Sequence, residues 1–164
     1  MQRTDRFWGY VSALQRRPDA QAVISGSEAY PGISGIVRFY QTRAGVLVAA
    51  EVSGLPVDAE PCGRNIFGFH IHSGEECEGD ATDPFAAALG HYDPDGCPHP
   101  AHAGDMPPLF ANRGKAFGVF LTDRFSVREI IGRTVILHSS PDDFTSQPSG
   151  NAGTKITCGQ IRTC

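Results

Sequence analysis

The sequence predicts an all-β domain, seven or eight short antiparallel strands arranged as a barrel or sandwich. Three observations carry that expectation. Apolar residues alternate with a period of two along several segments of strand length, and no central segment sustains a helical period. Nineteen glycines and 12 prolines punctuate the chain where turns are needed. At 164 residues, with 40% hydrophobic and 20% charged positions, the chain can bury one core without disulfide support and is neither disordered nor a coiled coil.

At the N-terminus, Phe7, Tyr10, Val11 and Leu14 fall at helical spacing. Residues 6–17 therefore read as a short amphipathic helix that stops at Pro18 and docks on its own domain. This divides the chain into an N-terminal extension over 1–18 and a main domain over 19–164. Strands follow at 22–26, 35–42 and 46–54, the last with Val46, Val48, Ala50 and Val52 on one face. Residues 43–45 form a hairpin turn between two of them. Residues 66–72, 116–122, 133–138 and 154–161 continue the series. Two long segments, 73–115 and 139–153, are crowded with Gly, Pro, Asp and Ser. Loops of that length in a compact domain usually carry function.

The formal net charge of −4 argues against a surface that tracks phosphates, so nucleic acid is excluded as a partner. No apolar stretch has the length of a membrane span, and no membrane partner is expected. Residues 1–14 include Arg3, Asp5 and Arg6 and hold no apolar run of signal-peptide length. The Arg16-Arg17 pair is followed by Pro18 and Asp19 instead of an apolar segment, so a cytoplasmic location is the expectation. The five cysteines, Cys62, Cys77, Cys97, Cys158 and Cys164, are odd in number and show no Cys-x-x-Cys spacing. At least one thiol is thus unpaired within the chain, and a zinc ribbon or thioredoxin-type motif is ruled out.

The six histidines concentrate in three places. In Phe67-Gly-Phe-His70-Ile-His72, strand alternation sends Phe67, Phe69 and Ile71 to one face and both imidazoles to the other. Alone, such a pair is more often solvated than metal-bound. His91, His99, His102 and Asp105 then crowd into fifteen residues, a nitrogen and oxygen donor set that suits four-coordinate zinc. His138 ends the apolar run Thr134-Val-Ile-Leu, facing away from Val135 and Leu137.

Taken in order, these motifs resemble the copper-zinc superoxide dismutases over residues 20–161. Gly68-Phe-His-Ile-His72 is similar to the family's first copper-ligand strand, and Gly90-His91 to its bridging histidine. His102-Ala-Gly-Asp105, with His99, resembles the end of the zinc loop. Gly132-Arg-Thr-Val-Ile-Leu-His138 resembles the strand of the last copper ligand, and Gly150-Asn-Ala-Gly-Thr-Lys155 through Cys158-Gly the end of the active-site channel.

The resemblance implies an eight-stranded Greek-key barrel or sandwich that converts superoxide to dioxygen and hydrogen peroxide, with copper cycling redox state and zinc structural. It implies copper on His70, His72, His91 and His138, and zinc on His91, His99, His102 and Asp105. Asp142 would link a copper histidine to a zinc histidine, and Cys77 would pair with Cys158. His91 would move a proton, and Lys155 would attract the anion where the family usually has arginine. Lysine keeps the charge but lacks the planar fork, so reduced activity is expected. A homodimer is the expected assembly.

Cys97, beside His99, is open to three readings: an inert thiol, a stray ligand or a partner of Cys62. Two other functions compete with the dismutase. One is a non-catalytic copper and zinc binding module, like the dismutase-like domain of a copper chaperone. The other is a zinc hydrolase, disfavoured because four donors fill the zinc site and only Glu75 and Glu76 stand nearby as bases.

Overall fold

The structure is a computed structural model that describes residues 5–164, with side chains from Trp8 onward. Met1 to Thr4, and the Phe7 side chain of the expected apolar stripe, lie outside the described residues. Helix α1 (Asp5–Gln15) precedes nine strands: β1 (Ala20–Gly26), β2 (Ser34–Thr42), β3 (Gly45–Ser53), β4 (Ile66–Phe67), β5 (Phe69–His72), β6 (Leu109–Asn112), β7 (Lys115–Thr122), β8 (Thr134–His138) and β9 (Lys155–Thr163). A single turn of helix, α2 (Val127–Ile130), lies between β7 and β8.

Every ladder is antiparallel. The spatial order is β4-β6-β7-β3-β2-β1-β9-β8-β5. Its two ends, β4 and β5, are one stretch of chain separated only by Gly68, so the sheet closes on itself as a barrel. Closure explains why nine strands appear where eight were expected. Through Phe67 the segment pairs with β6, and from Phe69 it pairs with β8. At the crossover the Gly68 N–H donates to Ser140 O instead of to a strand.

The long segment expected over 73–115 is shorter than the sequence suggested, because Leu109–Asn112 is a strand. Asn112 pairs with Lys115 across a two-residue turn in which Arg113 (φ 52°) and Gly114 (φ 75°) both take left-handed backbone. That turn matches the twist of a hairpin. Helix α2 was also not anticipated; Ser126 and Glu129 cap it reciprocally while Val127 and Ile130 are buried.

Val46, Val48, Ala50 and Val52 all face the barrel interior, with Val37, Phe39, Phe69, Ile71, Val135 and Leu137. Outside, α1 lays Tyr10, Ala13 and Leu14 over Tyr40, Leu47 and Ala49 of β2 and β3. Arg16 ends that helix by donating to Asp19 Oδ2 (2.8 Å) and Gln41 O (2.9 Å).

Two features prepare a site on the outer face of β5, β8 and β9. A bulge at Ile156 of β9, where the pairing steps from Leu137 to His138, sets Lys155, the first residue of β9, opposite His138. Cys77 is bonded to Cys158, 81 residues away, which ties the long loop to β9. Cys62, Cys97 and Cys164 are free thiols. Replacing Cys77 and Cys158 together with serine should lower the stability of the metal-free protein by about 4.5 kcal/mol, the chain-entropy value for a loop of this length. Urea unfolding of both proteins checks it.

Candidate metal centre

Packing of β5 starts the site. Phe69 and Ile71 anchor its inner face in the core, which fixes His70 and His72 on the outer face beside β8 and its His138. The loop between β5 and β6 then runs back along β5. Tyr92 N–H donates to Ile71 O (2.8 Å), and Ile71 N–H donates to Gly104 O (2.9 Å), placing His91 beside His72 and Asp105 beside His70. Such close approach needs a glycine: a Cβ on Gly104 would sit 2.3 Å from Ile71 O.

Loops thus cover the imidazoles that alternation directs outward. His70, His72 and His138 are 0, 2 and 4% exposed, and His99 and His102 are buried as well. Outward from a barrel is not the same as into water.

The hydrogen bonds define which ring nitrogens are bare. His70 Nε2–H and His99 Nε2–H donate to the two oxygens of Asp142 (2.8 and 2.9 Å). His72 Nδ1–H donates to Leu89 O (2.8 Å), and His138 Nδ1–H to Gly153 O (3.2 Å). Each ring therefore turns an unprotonated nitrogen toward the others. His72 Nε2 and His138 Nε2 stand 3.2 Å apart, and His70 Nδ1, His91 Nε2, His99 Nδ1 and His102 Nδ1 are buried with no hydrogen-bond partner.

Converging lone pairs of this kind suit a cation. Donor atoms of His70, His72, His91 and His138, and again of His91, His99, His102 and Asp105, lie within 4.8 Å of one another. A four-coordinate ion with ligands at about 2.0–2.1 Å fits such sets. His91 belongs to both: its Nδ1 lies 2.7 Å from Asp105 Oδ1, and its ring centroid lies 3.9 Å from that of His70. An all-imidazole set suits copper, and three imidazoles with a carboxylate suit zinc.

Protonation favours ligation too. Burial pushes His70 down and His72 well down, and burial together with the neighbouring His70 pushes His138 down to about 3. These rings are neutral at ordinary pH, the state a metal requires. Burial alone would raise Asp142, but hydrogen bonds from His70, the Phe144 N–H and His99 outweigh it and hold the carboxyl far below its usual range. Asp105 is likewise lowered, against burial, by its hydrogen bond with His91 and by the surrounding imidazoles.

Several supports had no readable signal in the sequence. Leu89 takes φ 61° and ψ −149°, a strained backbone for leucine, and its carbonyl is the acceptor that orients His72. Gly150 (φ 67°) lies against the Asp142–His99 pair, where a Cβ would be 2.0 Å from Asp142 Oδ1. Arg124 Nη1 donates to Pro100 O (2.8 Å) and His102 O (3.2 Å), holding the loop that carries His99 and His102. A carbonyl or a close approach leaves no mark on residue type. Only the left-handed glycine was available as a hint.

A cavity of about 520 Å³ opens onto His72, His91 and His138 and includes Lys155 and Asp83 in its wall. Cys97 belongs to neither donor set, and no pairing joins it to Cys62. Glu75 and Glu76 are in neither set.

Comparison with known proteins agrees with this donor chemistry. A sequence model of the family described as copper/zinc superoxide dismutase matches residues 33–161. The chain is 34% identical over 145 residues to superoxide dismutase [Cu-Zn] 2 of Aquifex aeolicus, covering 79% of this chain and 80% of that protein. It is 34% identical over 146 residues to superoxide dismutase [Cu-Zn] of Deinococcus radiodurans, covering 77% and 76%. To superoxide dismutase [Cu-Zn] of Legionella pneumophila it is 30% identical over 159 residues, covering 92% and 91%.

Asp142→Ala should release the His70 and His99 rings together. Both donor sets should then lose about 10- to 100-fold in metal affinity, measured by competition with a chelator for zinc and for copper. Gly150→Ala should act in the same direction by displacing Asp142.

Proposed function

The chain belongs to the copper/zinc superoxide dismutase family and is a superoxide dismutase with copper and zinc as its cofactors; we propose that His70, His72, His91 and His138 hold the copper and that His91, His99, His102 and Asp105 hold the zinc. The observation that carries this assignment is the pair of donor sets sharing His91. The reaction takes two superoxide anions and two protons to dioxygen and hydrogen peroxide. When bound, copper supplies the one-electron couple and zinc supplies a fixed charge beside the shared imidazole.

The remaining work falls to the protein's own groups. His91 Nε2 is buried, faces the His70, His72 and His138 cluster, and belongs to a ring that lines the cavity. It is the atom placed to hold a proton and deliver it to the second, reduced substrate. The opposite nitrogen, Nδ1, lies 2.7 Å from Asp105 Oδ1 among the groups assigned to zinc, so that ion would hold the far side of the ring and keep it from turning away while the proton moves. Asp142 fixes the His70 and His99 tautomers, keeping their Nδ1 atoms bare for metal. Lys155 contributes the positive charge in the cavity wall that draws in an anion.

A non-catalytic binding module is the weaker reading, because both donor sets are complete and an open cavity leads to the shared histidine. The homodimer is supported by an exposed apolar stripe, Phe110, Phe117, Val119 and Leu121, on the outer face of β6 and β7.

Loading the metal-free protein with both ions should confer rapid loss of superoxide, followed by its ultraviolet absorption, and chelation should return the rate to that of the buffer. Full loading with no turnover above free-ion controls would leave only the binding module. His91→Ala should lower the rate by about 10²-fold or more through loss of the proton-transfer group.

A further inference from the structure

Lys155 does not stand free in the cavity wall. Its Nζ donates to Asp83 Oδ2 at 2.7 Å and to Phe85 O at 2.9 Å, and its side chain is only 14% exposed. Two of the three ammonium donors are therefore engaged, and one is left for an incoming anion. Asp83 is itself held firmly. Its Oδ1 accepts the Phe85 N–H (3.1 Å), its own N–H donates to Asp80 Oδ1 (3.0 Å), and its carbonyl accepts the Asp80 N–H (2.9 Å). The carboxylate is thus mounted on a tight turn in the loop that the Cys77–Cys158 bridge ties to β9.

We infer that Asp83 is a positioning residue that restrains Lys155 and limits capture of the anionic substrate. The inference rests on the reading of Lys155 as the anion-attracting group. An anion entering the cavity meets a compensated ion pair where the sequence alone shows a bare cation. Asp93, in the wall of the same cavity, adds a second negative charge there. Superoxide must therefore compete with the Asp83 carboxylate for the ammonium, and part of the steering field is cancelled at its source. A lysine in this position is tethered by its point charge to one carboxylate, whereas a guanidinium could hold a carboxylate and still present donors to substrate.

The test uses protein loaded with both metals. Asp83→Asn removes the charge and, with its amide oxygen kept on the Phe85 N–H, turns an NH2 donor toward Lys155 in place of the accepting Oδ2. Its second-order rate constant with superoxide should rise about three- to tenfold at an ionic strength of about 0.01 M, and the gain should fade near 1 M, where the screening length is about 3 Å. Azide, read from the copper visible spectrum, should bind more tightly by a similar factor. In the metal-free protein, an amine-reactive label followed by mass spectrometry should modify Lys155 severalfold faster than in the wild type. Asp83→Ser should reproduce the rise, and Asp83→Glu should bring the rate back toward wild type. Unchanged rate, azide affinity and labelling in Asp83→Asn, with Lys155→Met slower than wild type, would overturn the role of Asp83 and leave Lys155 as the guide. Lys155→Met without effect in both backgrounds would instead overturn the guide reading, and this inference with it.

Discussion

The site depends on one carboxylate. Asp142 has a side chain 1% exposed, and it accepts a hydrogen bond from His70 on one oxygen and from His99 on the other. An unpaired buried carboxylate would be costly, so those two N–H groups are obligatory partners. Once they are committed, both Nδ1 atoms must be bare and must face inward. A single side chain from the loop after β8 thereby sets the tautomer of a ring on β5 and a ring on the long loop. The barrel supplies position, and Asp142 supplies protonation and orientation.

The same logic recurs around the cluster with backbone acceptors. Leu89 O fixes His72, and Gly153 O fixes His138. Leu89 reaches its position only through a left-handed backbone, a strain that the surrounding loop contacts must offset. The bulge at Ile156 of β9 has a comparable effect, since it places Lys155 opposite His138 and therefore near the cavity. Strain and irregularity thus collect at the site, while the ladders of β1, β2 and β3 remain regular.

How far the sequence could be read follows from what each feature depends on. Strand alternation put Phe69 and Ile71 inward and His70 and His72 together, and it marked the interior face of β3, because pleating links residue spacing directly to facing. Strand β6 was hidden behind Pro107 and Pro108 and is only four residues long, too short to show a period against a proline-rich background. The burial of His138 was equally invisible, because it arises from loops that fold over the barrel and not from the strand itself. Lys155 could be placed at the channel through its motif. Its partner Asp83 is 72 residues away in sequence, and nothing local connects the two. Gly150 and Arg124 act by fitting against or holding other groups, which residue type does not reveal.

In the proposed site His91 serves two metal ions at once through its two ring nitrogens. Loading copper(II) into both donor sets and recording the electron paramagnetic resonance tests it most directly. A shared imidazole couples the two unpaired electrons, so the signal at low temperature should fall far below that of two isolated ions, and His91→Ala should restore it. Two full, independent copper signals in the wild-type protein would show that the sites do not share His91.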